Sequence, residues 1–260
     1  MYRVDDSSPR VRVGKVPFVP TDMGSAVEVV IDAAGVGRGV PVRLSNAYCV
    51  ALASRDSEYC SLLNGDGFNF PDGSPVVWAM RARRSDNRQV SRVRGPSLFR
   101  QTIDRGRNHD LRNFLLGTDE STLAALEKNL NTKFPGVDIA GSFAPPYGKV
   151  DAAFVDACVQ SISGTDANIV WVALGTPKQD FVAAELSTRL SVPCVGVGAA
   201  FDFEAGVIRE APVWVQKVSL EWLYRLCAEP RRLWKRYIFG NVRFLYSFLV
   251  EAFRERSASK

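Results

Sequence analysis

A single histidine, His109, serves the whole chain of 260 residues. A histidine-ligated metal centre or a Ser-His-Asp triad therefore has almost nothing to be built from. Cysteine is sparse as well, with five at positions 49, 60, 158, 194 and 227 and no Cys-x-x-Cys pair. An odd number at irregular spacing fits reduced thiols in a cytosol-type compartment rather than a disulfide framework. No stretch reaches the roughly 18 consecutive apolar residues of a membrane-spanning helix. The nearest, 244–250, is short and follows Asn241 and Arg243. The N-terminus carries Asp5 and Asp6 and no apolar core, so no export signal is expected. Internal repeats and low-complexity tracts are also missing.

What remains is globular. Apolar residues make up 46% and charged residues 23%, enough to bury a core and too apolar for a disordered chain. The formal net charge of +5 is unevenly spread. From Gly206 onward there are 11 Lys and Arg against 5 Glu, together with 10 of the 27 aromatic residues. Everything before is close to neutral. A basic, aromatic end on a neutral body fits a module that meets a polyanion or an anionic membrane. A solvated helix capping the core fits the same composition.

Residues 1–20 are polar and proline-containing and read as a loose lead-in. Thr21 and Asp22 offer N-caps to a helix at 25–34. A strand at 40–44 is followed by Ser45 and Asn46 as caps for a helix running to about 55. A second helix is expected at 56–63, then an extended piece at 68–70, a Pro71-Asp72-Gly73 turn, and a helix over 76–80. Further along, strand 111–116, helix 121–130, strand 169–174, helix 176–190 and strand 192–197 alternate. That alternation predicts an α/β, Rossmann-like, mostly parallel sheet flanked by helices. After Gly206 the pattern turns helical. From Arg231 apolar positions at three-or-four spacing interleave with Arg232, Lys235, Arg236 and Arg243, as in a basic amphipathic helix or helix pair. The expected organisation is a lead-in at 1–20, a catalytic body at 21–205 and a helical appendage at 206–260.

In open α/β sheets ligands bind beyond the carboxyl ends of the strands. Three loops should meet there: the one at Asn46, residues 175–179 and residues 198–202. Gly196-Val197-Gly198 is half a dinucleotide fingerprint, but Phe201 stands where the third glycine belongs, so it is a poor nicotinamide signal. Asp72 in its tight turn suits first of all a turn former or helix cap, and an exposed carboxylate there can also serve as a general base. Asp202 and Glu204 make an Asp-x-Glu triplet with no further carboxylate beside it, a weak basis for a divalent metal.

Five segments carry a resemblance. Pro71-Asp72-Gly73 with Val76-Val77-Trp78-Ala79, the run Val172-Ala173-Leu174-Gly175-Thr176-Pro177-Lys178-Gln179-Asp180, Val197-Gly198-Ala199-Ala200-Phe201-Asp202-Phe203, Leu220-Glu221-Trp222-Leu223-Tyr224-Arg225-Leu226 and Glu229-Pro230-Arg231-Arg232-Leu233 occur in order. Across about 40–245 the chain resembles the WecG/TagA/CpsF glycosyltransferases, glycosyltransferase family 26.

The resemblance implies an inverting, metal-independent enzyme without cofactor. It would move a hexose or N-acetylhexosamine from a UDP-sugar donor onto a sugar linked by diphosphate to undecaprenol, on the cytoplasmic membrane face, in exopolysaccharide, capsule or cell-wall polymer biosynthesis. It makes Asp72 the catalytic base and Asn46, Thr176, Gln179 and Asp202 substrate-binding residues. Arg225, Arg232 and Arg236 would bind the diphosphate, and the same appendage would dock on anionic lipid. Two positions depart from the family pattern. Leu44 replaces a threonine in Thr-x-Asn, and Glu210 replaces the arginine of Arg-Ala-Pro, with Arg209 beside it as a substitute. They leave open a non-catalytic membrane adaptor of the same fold. No nucleic-acid partner is expected, since such a binder would explain the basic end but not the Pro-Asp-Gly and Gly-Thr-Pro-Lys-Gln loops. Pairing with a second copy of the chain through the basic helix also stays open.

Overall fold

The computed structural model describes residues 9–83, 90–231, 234, 243 and 244. Its elements begin with two short antiparallel strands, β1 (Val11–Val13) and β2 (Val16–Phe18). There follow α1 (Met23–Gly35), β3 (Pro41–Ser45), α2 (Ala47–Ala53), α3 (Ser57–Asn64), β4 (Phe68–Pro71) and α4 (Ser74–Ala82). The middle holds α5 (Gly95–Gly106), β5 (Arg112–Gly117), α6 (Glu120–Lys133), β6 (Asp138–Phe143) and α7 (Ala152–Ser163). Then come β7 (Ile169–Ala173), α8 (Lys178–Leu190), β8 (Cys194–Gly196), α9 (Ala200–Glu204), α10 (Val213–Lys217) and α11 (Glu221–Ala228). Arg232, Lys235, Arg236 and most of the basic helical pattern beyond Arg231 lie outside the described residues.

Six strands form one sheet in the order β4-β3-β8-β7-β5-β6, every pairing parallel. The period-two geometry of a strand sends alternate side chains to opposite faces, and here both faces are apolar. Val42, Leu44, Phe68, Phe70, Leu115, Ile169, Trp171 and Val195 join α1, α5, α6 and α9 in one core. Phe114, Leu116, Val170, Val172 and Cys194 join α7 and α8 in the other. Helices on both faces of a parallel sheet make this an α/β fold, as the alternation predicts. The Trp171 indole donates to Asn113 Oδ1 at 2.9 Å, so the largest buried side chain brings no orphan donor into the core.

The lead-in expected at 1–20 needs correction. Residues 11–18 form the β1–β2 hairpin, and Val13, Val16 and Phe18 are fully buried in a third cluster with α2, α3 and α4. The turn is a tight Gly14-Lys15 pair with Gly14 at φ +58, too short a signal to stand out among the surrounding polar residues. The sequence pattern predicts no element at α5, β6 or α7, and for β6 and α5 the burial explains it. Strand β6 pairs only with β5 and is nowhere fully buried, so it needs no apolar run. Helix α5 buries a single stripe, Leu98, Phe99, Thr102, Ile103 and Gly106, behind three charged residues. The helix expected to begin at 176 starts at Lys178, after a cis Thr176–Pro177 peptide.

Candidate active site

Parallel strands all point their carboxyl ends the same way, and the loops that follow enclose a cavity of about 540 Å³, a size that suits a ligand. Leu44 and Asn46 come from the end of β3, Asp72 from β4, Thr118 from β5, residues 173–176 from β7 and residues 196–199 from β8. Gln179 of α8, Asp202 of α9, and Glu221, Trp222 and Arg225 of α11 complete the lining. Asp72, Asn46, Thr176, Gln179, Asp202 and Arg225 are thus brought together around one hollow.

The backbone of Asp72 is fixed by its N–H donating to the Ser45 carbonyl at 3.0 Å. Gly73 next to it sits at φ +96, which a side chain would resist, and so turns the chain sharply from β4 into α4. Burial pushes the Asp72 carboxyl up to about 6, and the neighbouring Glu221 carboxylate pushes the same way. Arg92, Arg94 and Arg225 pull against them. A carboxyl near 6 is a group that can exchange a proton close to neutrality.

Asn46 caps α2, its Oδ1 accepting the Tyr48 N–H at 3.0 Å, which leaves its Nδ2 amide for the cavity. Gln179 is buried, and its Oε1 has no protein partner. Its amide lies along Gly196, where a Cβ would come within 3.1 Å of Nε2. The Gly-Val-Gly fragment therefore makes room for a glutamine. Leu44 lines the cavity, whereas Ser45 is buried in the neighbouring layer with its hydroxyl unpartnered and does not replace the missing threonine hydroxyl. Asp202 and Glu204 part company. Glu204 turns away to meet Lys133 Nζ at 2.8 Å and Arg100 at 3.1 Å, so the pair does not act as one cation-binding triplet.

Side-chain caps close some helix N-termini and not others, and the capped end of α2 lines the cavity beside uncapped ones. Helices α1, α2, α3, α6 and α7 each have an Asp or Asn cap that accepts from the first turn. Helices α4, α5, α8 and α11 have no side-chain cap, and residues from the N-terminal end of each line the cavity. An uncapped helix N-terminus turns the positive end of the dipole to the cavity, a setting that favours an anion such as phosphate, although in α8 the Gln179 and Asp180 N–H groups already donate to the Gly175 and Pro177 carbonyls.

Arg92 and Arg94 are cavity residues that sequence reasoning missed, since it sought cations only after Gly206. The signal was there as Arg92-Val93-Arg94 directly before the Gly95-Pro96 helix start. Glu210 is explained by the same residues. It takes Arg100 through two bonds of 2.9 Å and Arg94 at 2.8 Å, and although burial opposes its charge, those guanidinium groups hold its carboxyl below the ordinary range. Arg209 is exposed and lies outside the lining, so it does not substitute for the family arginine there.

Comparison with known proteins agrees with this geometry. A profile described as the glycosyl transferase WecG/TagA/CpsF family matches residues 11–258. A relative from Bacillus subtilis (strain 168), N-acetylglucosaminyldiphosphoundecaprenol N-acetyl-beta-D-mannosaminyltransferase, is 30% identical over 199 residues, covering 76% of this chain and 75% of that protein. With the family's motif residues gathered at one cavity and its profile spanning most of the chain, this protein belongs to the WecG/TagA/CpsF glycosyltransferases.

Proposed function

We propose that the chain transfers a hexose or N-acetylhexosamine, with inversion, from a UDP-sugar onto a sugar carried by undecaprenyl diphosphate, in the assembly of an exopolysaccharide, capsule or cell-wall polymer. The observation that carries the reading is Asp72. It is a carboxyl held near 6 on a cavity whose other walls are uncapped helix ends and arginine. The name of the Bacillus subtilis relative supports the acceptor class, since it describes transfer onto N-acetylglucosaminyldiphosphoundecaprenol.

In this reading Asp72 accepts the proton of the acceptor hydroxyl while that oxygen attacks the anomeric carbon. The bond from that carbon to the diphosphate oxygen breaks, and UDP leaves with its electron pair on the face opposite the base. Arg225 of α11, stacked over Phe203 at 5.8 Å, and the uncapped N-terminus of α4 meet the charge growing on the diphosphate. Arg232 and Arg236 are assigned to the same task by family resemblance. Asn46 through Nδ2, Gln179 through Oε1, Thr176 and Asp202 orient the donor. The unpartnered Gln179 oxygen asks for an N–H or O–H from the ligand, because a buried acceptor left alone costs about 1–3 kcal/mol.

The body at 21–205 holds the chemistry, and residues 206–260 complete the site and seat the protein on the inner face of an anionic membrane. No helix among the described residues is long and apolar enough to cross a bilayer. Val213, Trp214, Val218, Trp222 and Leu223 of the appendage are exposed instead, as is Trp78 of α4. Exposed aromatic residues next to basic ones suit the headgroup level of a membrane.

The test is turnover of UDP-sugars with a short-chain lipid-diphosphate N-acetylglucosamine or glucose acceptor, screened by mass spectrometry. Asp72→Asn is expected to lower kcat about 10²–10⁴-fold, as for loss of a general base. Near-wild-type turnover in folded Asp72→Asn protein would remove Asp72 from the chemistry. A fully silent wild type across all donors would favour the adaptor.

A further inference from the structure

Arg94 stands just ahead of α5, nearly buried, on the same cavity as Asp72. Three of its nitrogens are already occupied by the segment beyond Gly206 and by Ser97. Nε and Nη2 donate to the two Glu221 oxygens at 2.9 and 2.6 Å, a fork-to-fork pair. Nη2 also reaches Glu210 Oε1 at 2.8 Å, and Nη1 donates to Ser97 Oγ at 3.1 Å. Arg92 leans on the same carboxylate, Nη1 lying 3.6 Å from Glu221 Oε2. So two guanidinium groups that face the Asp72 cavity are drawn toward one carboxylate from α11.

We propose that Glu221 is a positioning residue for the reaction at Asp72: by holding Arg94 and Arg92 it keeps their charge from pairing with the base, and so ties base readiness to the seating of α11. The inference deepens, and rests on, the reading of Asp72 as the base. The charged groups facing Asp72 come from two places, Arg92 and Arg94 from the segment leading into α5, and Glu221 and Arg225 from α11. Asp202 of α9 and Tyr48 of α2 line the same cavity. With α11 seated, a negative charge is close and the cations are engaged. Removing the Glu221 charge has two effects of one sign, because a repelling neighbour is lost and two cations are released toward Asp72. Removing Arg94 does the reverse, since it takes away an attracting charge and leaves Glu221 less neutralised.

The experiment follows the Asp72 carboxyl carbon by 13C NMR in the full-length chain, assigned by its loss in Asp72→Asn. The wild-type midpoint is expected near 6. In Glu221→Gln it should fall by about one pH unit, and in Arg94→Gln it should rise by a similar amount. A purely structural role would not move the two in opposite directions. If Glu221→Gln fails to fold, Glu221→Asp draws the charge back by one methylene and should give a smaller fall. Unmoved midpoints, or shifts of the same sign, overturn the inference. Titration reads the coupling without turnover, so an active Asp72→Asn would end the base reading, and with it the positioning role, while opposite midpoint shifts still stood; unmoved midpoints would end this inference alone.

Discussion

A carboxyl lifted from 3.8 to about 6 carries a cost as well as a use. Between those values the folded chain holds a proton that the unfolded chain has released. The stability linked to Asp72 is therefore full below pH 4 and is lost as pH rises through 6. The shift corresponds to at most about 3 kcal/mol, and to about 1–2 kcal/mol after allowing for partial exposure. Asp72→Asn should be more stable than wild type by that amount at pH 8 and equal to it below pH 4, as read from urea denaturation at both values. Activity should run the opposite way in wild type, rising with pH through about 6 as the base ionises. With Asp72 read as the base, function at this site opposes stability. In the sequence Asp72 was legible as a carboxylate in a tight turn. Its perturbation was not, because Glu221, Arg92 and Arg94 lie 20 or more residues away and only the fold makes them neighbours.

Helices place these groups, and their own contacts set how rigidly. Tyr59 of α3 donates to Asp180 Oδ2 of α8 at 2.6 Å, both residues being buried. Burial, with Cys49 and Asp180 adding to it, pushes the phenol far above its ordinary value, so it remains a donor. Asp180 follows Gln179 directly, and the bond therefore pins the first turn of α8 where it meets the cavity. Tyr59→Phe should cost about 1–3 kcal/mol in denaturant unfolding, the range for a buried acceptor losing its donor. A cost within error of zero would show that α8 is held by packing alone. Helices α1, α2, α3 and α6 were legible to within about three residues, each with an Asp or Asn cap ahead of an apolar stripe, as at Asp22 and Asn46, whereas α7 was not legible despite its Asp151 cap. Helix α5 was not, because it begins at Gly95-Pro96 behind an arginine that caps nothing. The absence that hid the helix is what leaves its first turn free for a ligand.

Across the whole molecule the charge asymmetry becomes a geometry. The near-neutral body supplies Arg94, Arg100 and Ser74, and the segment after Gly206 answers with Glu221, Glu210 and Ser219, whose hydroxyl lies 2.5 Å from that of Ser74. These bonds hold α11 over the cavity, which Trp222 helps to line, while Trp214 of α10 is exposed. Full-length protein should sediment with phosphatidylglycerol vesicles and be released by salt, and it should bind neutral phosphatidylcholine vesicles poorly. Val213→Ser with Trp214→Ser should weaken sedimentation severalfold. Equal binding to both lipids, or an unaffected double variant, would remove docking from the reading.

Local and compositional features were settled by the sequence itself: the α/β alternation, the strands with apolar residues on both faces, the Asp and Asn caps, and the motif residues at strand ends. These depend on spacing within a few residues, and periodicity records such spacing directly. Tertiary structure alone decided the rest. It made residues 11–18 a buried hairpin, matched Glu210 with Arg94 and Arg100, and turned Glu204 away from Asp202. It also set Glu221 and two arginines beside Asp72. Pairing and burial between distant segments depend on the distance between side chains in space, and that distance exists only once the sheet has brought its strand ends together.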